Sequence, residues 1–224
     1  MQTLAFMRDN AHTILVLTGQ HISIVGVAVG LAILTGVPIG IAITQNRQAA
    51  DAVLYVAAII MTIPSVALFG MLIPLLSLIG QGIGWLPAVI AVLLYSQLPI
   101  IRNTYTAITN VDPALREAAR GMGMTPRQRL WQVELPLAVP VIMAGVRVAV
   151  VINIGITAIA TYIGAGGLGT LISRGISQTD SRQLLAGALC VSLLAIIADY
   201  GLLWVQRRLT PAGMRPRAAG TARP

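Results

Sequence analysis

Of the 224 residues 56% are hydrophobic and 10% charged, where soluble domains average about 25% charged. With a mean hydropathy of +0.83, this excludes a soluble globular domain and predicts an integral membrane protein. The net charge of +8 would suit nucleic acid, but the arginines flank apolar runs without forming one basic face, so no nucleic-acid role is expected.

A hydrocarbon core about 30 Å thick takes roughly 20 apolar residues per helical span, which allows about five or six crossings here. Residues 1–21 are expected to be a short external segment. The first span covers residues 22–44, too long for a signal-peptide core and without an evident cleavage site, so it is expected to be retained. His12 and His21 fall near its outer end and are expected to be solvated. Its glycines pair at small-xxx-small spacing, Gly26 with Gly30 and Gly36 with Gly40, which lets a neighbouring helix come close. The second span, residues 52–79, contains Pro64 and Pro74, each of which removes a helical hydrogen bond and should kink or break it. Residues 83–101 form the third.

A polar island over residues 110–136 follows. Asp112 then Pro113 is a helix cap with proline at the first helical position. Ala114, Leu115, Ala118, Ala119 and Met122 share one face of the helix that starts there. Gly121 and Gly123 should end it. Thr125-Pro126-Arg127-Gln128 restarts a helix with a capping box. The result is a helical hairpin running into the membrane at Leu135-Pro136. Its mostly alanine face, bordered by Arg116, Glu117 and Arg120, suits a groove on another protein, although a surface helix lying on lipid is the competing reading.

The fourth span, residues 136–161, has Arg147 as its one charge, and the fifth, residues 184–205, has Asp199. Arg147 lies seven residues past Pro140 and Asp199 seven residues before Gln206, so at 1.5 Å per residue both are expected about 10 Å from the cytoplasmic ends. Lone charges in lipid are costly, so the two are expected to pair. A salt bridge fixing the fourth span to the fifth is preferred over a gate or substrate site, with snorkelling of Arg147 as a third reading. Between these spans, Gly164-Ala165-Gly166-Gly167-Leu168-Gly169 formally fits the dinucleotide pattern G-x-G-x-x-G. That pattern needs a preceding strand in a βαβ unit, whereas this run follows a membrane span. It is expected to be irregular backbone near the outer face bordering the translocation path, with a plain turn as the alternative. Residues 206–224 should be a basic cytoplasmic tail.

All 15 basic residues are arginine. Arg47, Arg102, Arg116, Arg120, Arg127, Arg129 and the tail arginines fall on one side of a five-span topology, against Arg8, Arg174 and Arg182 on the other. The positive-inside rule places the N-terminus outside, and the hairpin and C-terminus in the cytoplasm. The lone Cys190 permits no intrachain disulfide, and no metal-ligand set is found near the histidines. The seven acids are dispersed, so no catalytic constellation is expected. There is no lysine and no G-x-x-x-x-G-K-[ST] sequence, so ATP hydrolysis would need another chain. Nor do the aromatic residues cluster as a cage for a quaternary ammonium group.

The spacing of Glu117, Ala118, Ala119, Gly123, Val133, Leu135 and Pro136 resembles the coupling-loop signature of permease subunits of binding-protein-dependent ABC importers, with Val133 where isoleucine is usual. Leu98-Pro99-Ile100-Ile101-Arg102-Asn103-Thr104-Tyr105, Gly121-Met122-Gly123-Met124-Thr125 and the glycine run resemble the osmoprotectant members, for glycine betaine, carnitine and choline. Methionine permeases share the signature and carry a similar glycine run. The resemblance spans roughly residues 20–205. It implies an all-α, five-span type I permease with the bundle over residues 22–205, whose loop, Glu117 to Gly123 above all, docks on a cytoplasmic ATPase. It also implies a second permease copy or sister, an extracytoplasmic binding protein, ATP and magnesium held by the ATPase chains, and a place in the bacterial inner membrane. An ATP-independent channel or carrier is the rival class.

Overall fold

The computed structural model describes residues 2–210, and all regular structure among them is helical. In chain order the helices are α1 (Gln2–Asp9), α2 (Ala11–Ala42), α3 (Arg47–Thr62), α4 (Ser65–Ser77), α5 (Trp85–Thr109), α6 (Pro113–Gly121), α7 (Pro126–Arg129), α8 (Leu135–Ile159), α9 (Gly169–Ser177) and α10 (Ser181–Leu209). Four of them, α2, α5, α8 and α10, are each long and apolar enough to cross a membrane, and α3 with α4 counts as a fifth span if the bent pair is taken as one. Of the tail, residues from 211 on lie outside the described residues, while Gln206 to Leu209 still belong to α10.

The second span departs most from expectation. It is two helices bent by 99°, and of the two prolines only Pro64 breaks it, since Pro74 sits inside α4. Proline disfavours helical geometry at the residue before it, and Ile63 is accordingly extended, with φ −67° and ψ 126°. Tyr95 of α5 donates its hydroxyl to the Ile63 carbonyl at 2.5 Å. That satisfies an oxygen which the break would otherwise strand away from water.

The centre of the bundle is α5, packed between α2 and α8, with α10 outside α8. Ile24, Ala28, Val92 and Tyr95 form one buried cluster, and Val29, Ala32, Ile100, Val146 and Ala149 another. Between helices in lipid, close van der Waals packing matters more than apolar transfer. A Cβ on Gly40 would lie 2.6 Å from Thr104 Cβ, and one on Gly145 2.6 Å from the Pro99 carbonyl oxygen. So α2 and α8 both approach α5 too closely for any larger residue at those points. Gly36 packs there too, but Gly26 and Gly30 meet nothing within 4 Å. They face a groove lined by α2, α8 and α10 instead of a neighbour within the chain.

Polar side chains add directed links. Asn153 Nδ2 of α8 donates to Ser96 Oγ of α5 at 2.8 Å and to the Ala149 carbonyl at 2.9 Å. The histidine expectation needs correcting, because α2 begins at Ala11 and carries His21 into the bundle, where it is 0% exposed. Its Nε2 donates to the Ile154 carbonyl of α8 at 3.0 Å. Residues 2–9 and 11–21 are therefore helical, with a turn at Asn10, and His21 is a packing residue instead of a solvated one.

Candidate functional site: the helical hairpin between α5 and α8

The hairpin is built by its caps. After α5, the Asp112 carboxylate accepts from the Ala114 amide at 2.9 Å, with Pro113 opening α6. At the other end the Gly123 amide donates to the Arg120 carbonyl at 2.9 Å and the Met124 amide to the Ala119 carbonyl at 3.1 Å. This pair of bonds closes a helix around a left-handed residue, and Gly123 supplies it with φ +78°. The chain restarts at Thr125, whose hydroxyl accepts from the Gln128 amide at 3.3 Å while Gln128 Oε1 accepts from the Thr125 amide at 2.9 Å. Four helical residues, a π turn over Leu130–Glu134 and then Leu135-Pro136 lead into α8. Leu135 packs against Ala107, Ile108, Ala138 and Ile142, which seats the hairpin on α5 and α8.

The apolar face expected of α6 divides. Ala119 is buried, whereas Ala114, Leu115, Glu117, Ala118, Gly121, Met122 and Gly123 are exposed. Met122 is 70% exposed and Trp131, in the π turn, 64%. A protruding helix that shows Leu115, Ala118 and Met122 beside Glu117 has the mixed, shallow surface that helix-in-groove recognition uses.

Sequence reasoning missed Glu134, which falls at the unspecified position of the coupling signature. Its side chain is buried, and Oε1 lies 2.9 Å from Arg129 Nε and 3.2 Å from Arg116 Nε. Arg116 also donates through Nη2 to the Ile108 carbonyl of α5. The available signal was a lone acid among arginines on a segment entering the membrane, where a charge needs partners.

At the far end of α8, about 37 Å away at 1.5 Å per residue, the glycine run forms a turn. Gly164, Gly166 and Gly167 have φ of +76°, +75° and +79°. The Gly167 amide donates to Gln20 Oε1 of α2 at 3.0 Å. A Cβ on Gly166 would lie 2.4 Å from Gln20 Oε1, and one on Gly169 1.9 Å from the Ala158 carbonyl oxygen. The run is thus packed between α2 and α8, and the segment before it is helical. The Arg147 and Asp199 side chains meet on α8 and α10. Arg147 Nε and Nη2 each donate at 2.9 Å to separate carboxylate oxygens. Gln206 accepts from Arg147 Nη1 at 3.1 Å and donates to the Pro140 carbonyl at 2.8 Å. The hairpin, the glycine run and the ion pair are three separate places, joined by α8.

Comparison with known proteins bears on the hairpin and the bundle together. Residues 28–211 match the family described as binding-protein-dependent transport system inner membrane component. The chain is 57% identical to the osmoprotectant import permease protein OsmW of Salmonella typhimurium, over 96% of this chain and 100% of that one. It is 43% identical to the choline transport system permease protein OpuBB of Bacillus subtilis, over 94% of each. Among solved structures, an inward-facing MetNI methionine ABC transporter superposes with a TM-score of 0.78 over 88% of this chain and 96% of that one, at 22% identity. An amino acid ABC transporter with histidines gives 0.75 over 91% and 97%, at 19% identity. At such identities the likeness is one of fold, that of a type I ABC importer permease.

Proposed function

The chain belongs to the family of inner membrane components of binding-protein-dependent transport systems, and from that membership we propose that it is the permease subunit of an ATP-driven importer of a small osmoprotectant such as glycine betaine, choline or carnitine. The observation that carries this reading is the 57% identity to an osmoprotectant import permease over nearly the whole of both chains. Methionine is supported by fold alone, at 22% identity.

In this reading the arginine-rich end of the bundle, with the hairpin and the C-terminus, faces the cytoplasm, in keeping with the positive-inside rule. The N-terminus lies outside. The hairpin seats in a groove on an ATPase chain, which holds the ATP and magnesium, and this permease contributes no hydrolytic site. It pairs with a second copy or a sister permease and receives solute from a binding protein on the outer side. ATP-driven closure of the ATPases displaces α6, and α8, joined to the hairpin at Leu135-Pro136, carries the displacement across the bilayer. The turn at Gly164–Gly169 then borders the solute path at the outer end of α8.

The test is uptake into proteoliposomes containing this permease, its ATPase and its binding protein. Uptake of glycine betaine, choline or carnitine that requires both ATP and the binding protein is the expected result. Uptake by the permease alone without ATP would replace this reading with a channel or carrier, and ATP-driven uptake of methionine only would change the cargo.

A further inference from the structure

Glu134 is the buried acid of the hairpin, 5% exposed, whereas Asp112 and Glu117 are exposed. Its Oε1 accepts a hydrogen bond from Arg129 Nε at 2.9 Å. Arg116 Nε lies 3.2 Å from the same oxygen but is not aligned to hydrogen-bond it. Because Arg116 also donates to the Ile108 carbonyl, the end of α5, the middle of α6, the end of α7 and the entry to α8 all converge on one carboxylate. The local backbone makes this convergence possible. Residues five apart on an α-helix point about 140° away from each other, so Arg129 and Glu134 could not meet on a regular helix. The π turn at Leu130–Glu134 brings them to one side, and such turns are a recurrent device at functional sites.

We propose that Glu134 is a positioning residue that locks α6 and α7 to the start of α8, so that movement of the hairpin passes into the membrane instead of being spent in the hairpin itself. The proposal rests on the reading of the hairpin as the ATPase contact. Its physical basis is the cost of separating a desolvated carboxylate from the cationic Arg129 and Arg116 beside it, which makes the cluster move as one body. Without it, α6 keeps the Arg116 bond to the Ile108 carbonyl and the buried Ala119, but its link to α7 runs through the turn at Gly123, a left-handed glycine with more conformational freedom than other residues. A rocking α6 would then absorb the displacement.

The experiment uses the complete transporter in proteoliposomes with E134Q, which keeps the side-chain volume and removes the charge, and E134D, which keeps the charge. Three quantities are read: ATPase retained by the permease, ATP hydrolysed, and solute imported per ATP. The expected result for E134Q is normal ATPase retention and continued hydrolysis with at least a ten-fold fall in solute per ATP. E134D should recover most of that ratio. An unchanged ratio in E134Q overturns the proposal. So does loss of the ATPase or of the folded permease in E134Q, which would make Glu134 a residue of docking or folding. A wild-type permease that retains no ATPase would instead fell the underlying reading, and the proposal with it.

Discussion

Arg147 and Asp199, 52 positions apart, form a two-pronged ion pair across α8 and α10, with both contacts at 2.9 Å. Gln206 extends it to the Pro140 carbonyl, so α10 is fastened to α8 at two levels. With side chains 23% and 35% exposed, the pair is only partly withdrawn from its surroundings. Removing either partner strands the other, and Arg147→Ala or Asp199→Ala should each cost about 1.5–3 kcal/mol, the range for hydrogen bonds to charged groups. Unfolding of the purified permease in detergent measures this, and the exchanged pair R147D/D199R should recover at least half. No recovery would show that the two positions act independently.

The hairpin caps should matter locally more than globally. Thr125→Ala removes the acceptor for the Gln128 amide, and Asp112→Ala removes that for Ala114, at about 1 kcal/mol each. Hydrogen exchange of the amides in α6 and α7 should rise about five-fold in the matching variant, with protection of α5 unchanged. Equal loosening throughout the bundle would mean that the hairpin is not a separate unit.

The four long apolar helices and the bent pair beside them were legible from apolar run length, and the hairpin from its caps, because Asp-Pro, Thr-Pro-Arg-Gln and the Gly-Met-Gly turn act through neighbours in the chain. What could not be read depended on partners distant in sequence. His21 looked interfacial because nothing local shows that α8 offers the Ile154 carbonyl to it. The 99° bend at Pro64 needs Tyr95 of another helix to satisfy Ile63, so proline alone did not say which of two prolines would break the span. Glu134 was overlooked because a π turn brings Arg129 within reach, and helical periodicity would have placed them apart. The Arg147–Asp199 pair could be anticipated because matching depths on antiparallel spans leave few alternatives for two charges in lipid.

The glycine run should tolerate very little. Gly169→Ala would place a methyl 1.9 Å from the Ala158 carbonyl oxygen, a contact that must displace backbone. Folded permease recovered from membranes should fall several-fold, in line with the 1–3 kcal/mol typical of overpacking. Gly155→Ala, within α8 and with nothing within 4 Å, should leave recovery unchanged. Equal recovery of both variants would contradict the packing described at the end of α8.

The most direct measurement is the number of solute molecules imported per ATP hydrolysed by the reconstituted transporter carrying Glu117→Ala or Gly123→Val. Glu117 stands on the exposed surface of α6. A β-branched residue at φ +78° would distort the turn that sets the helix direction. Continued hydrolysis with solute transport largely lost, from a permease that is still folded, is the predicted result. Normal solute per ATP in both variants would contradict the assignment of the hairpin as the site through which the transporter is driven.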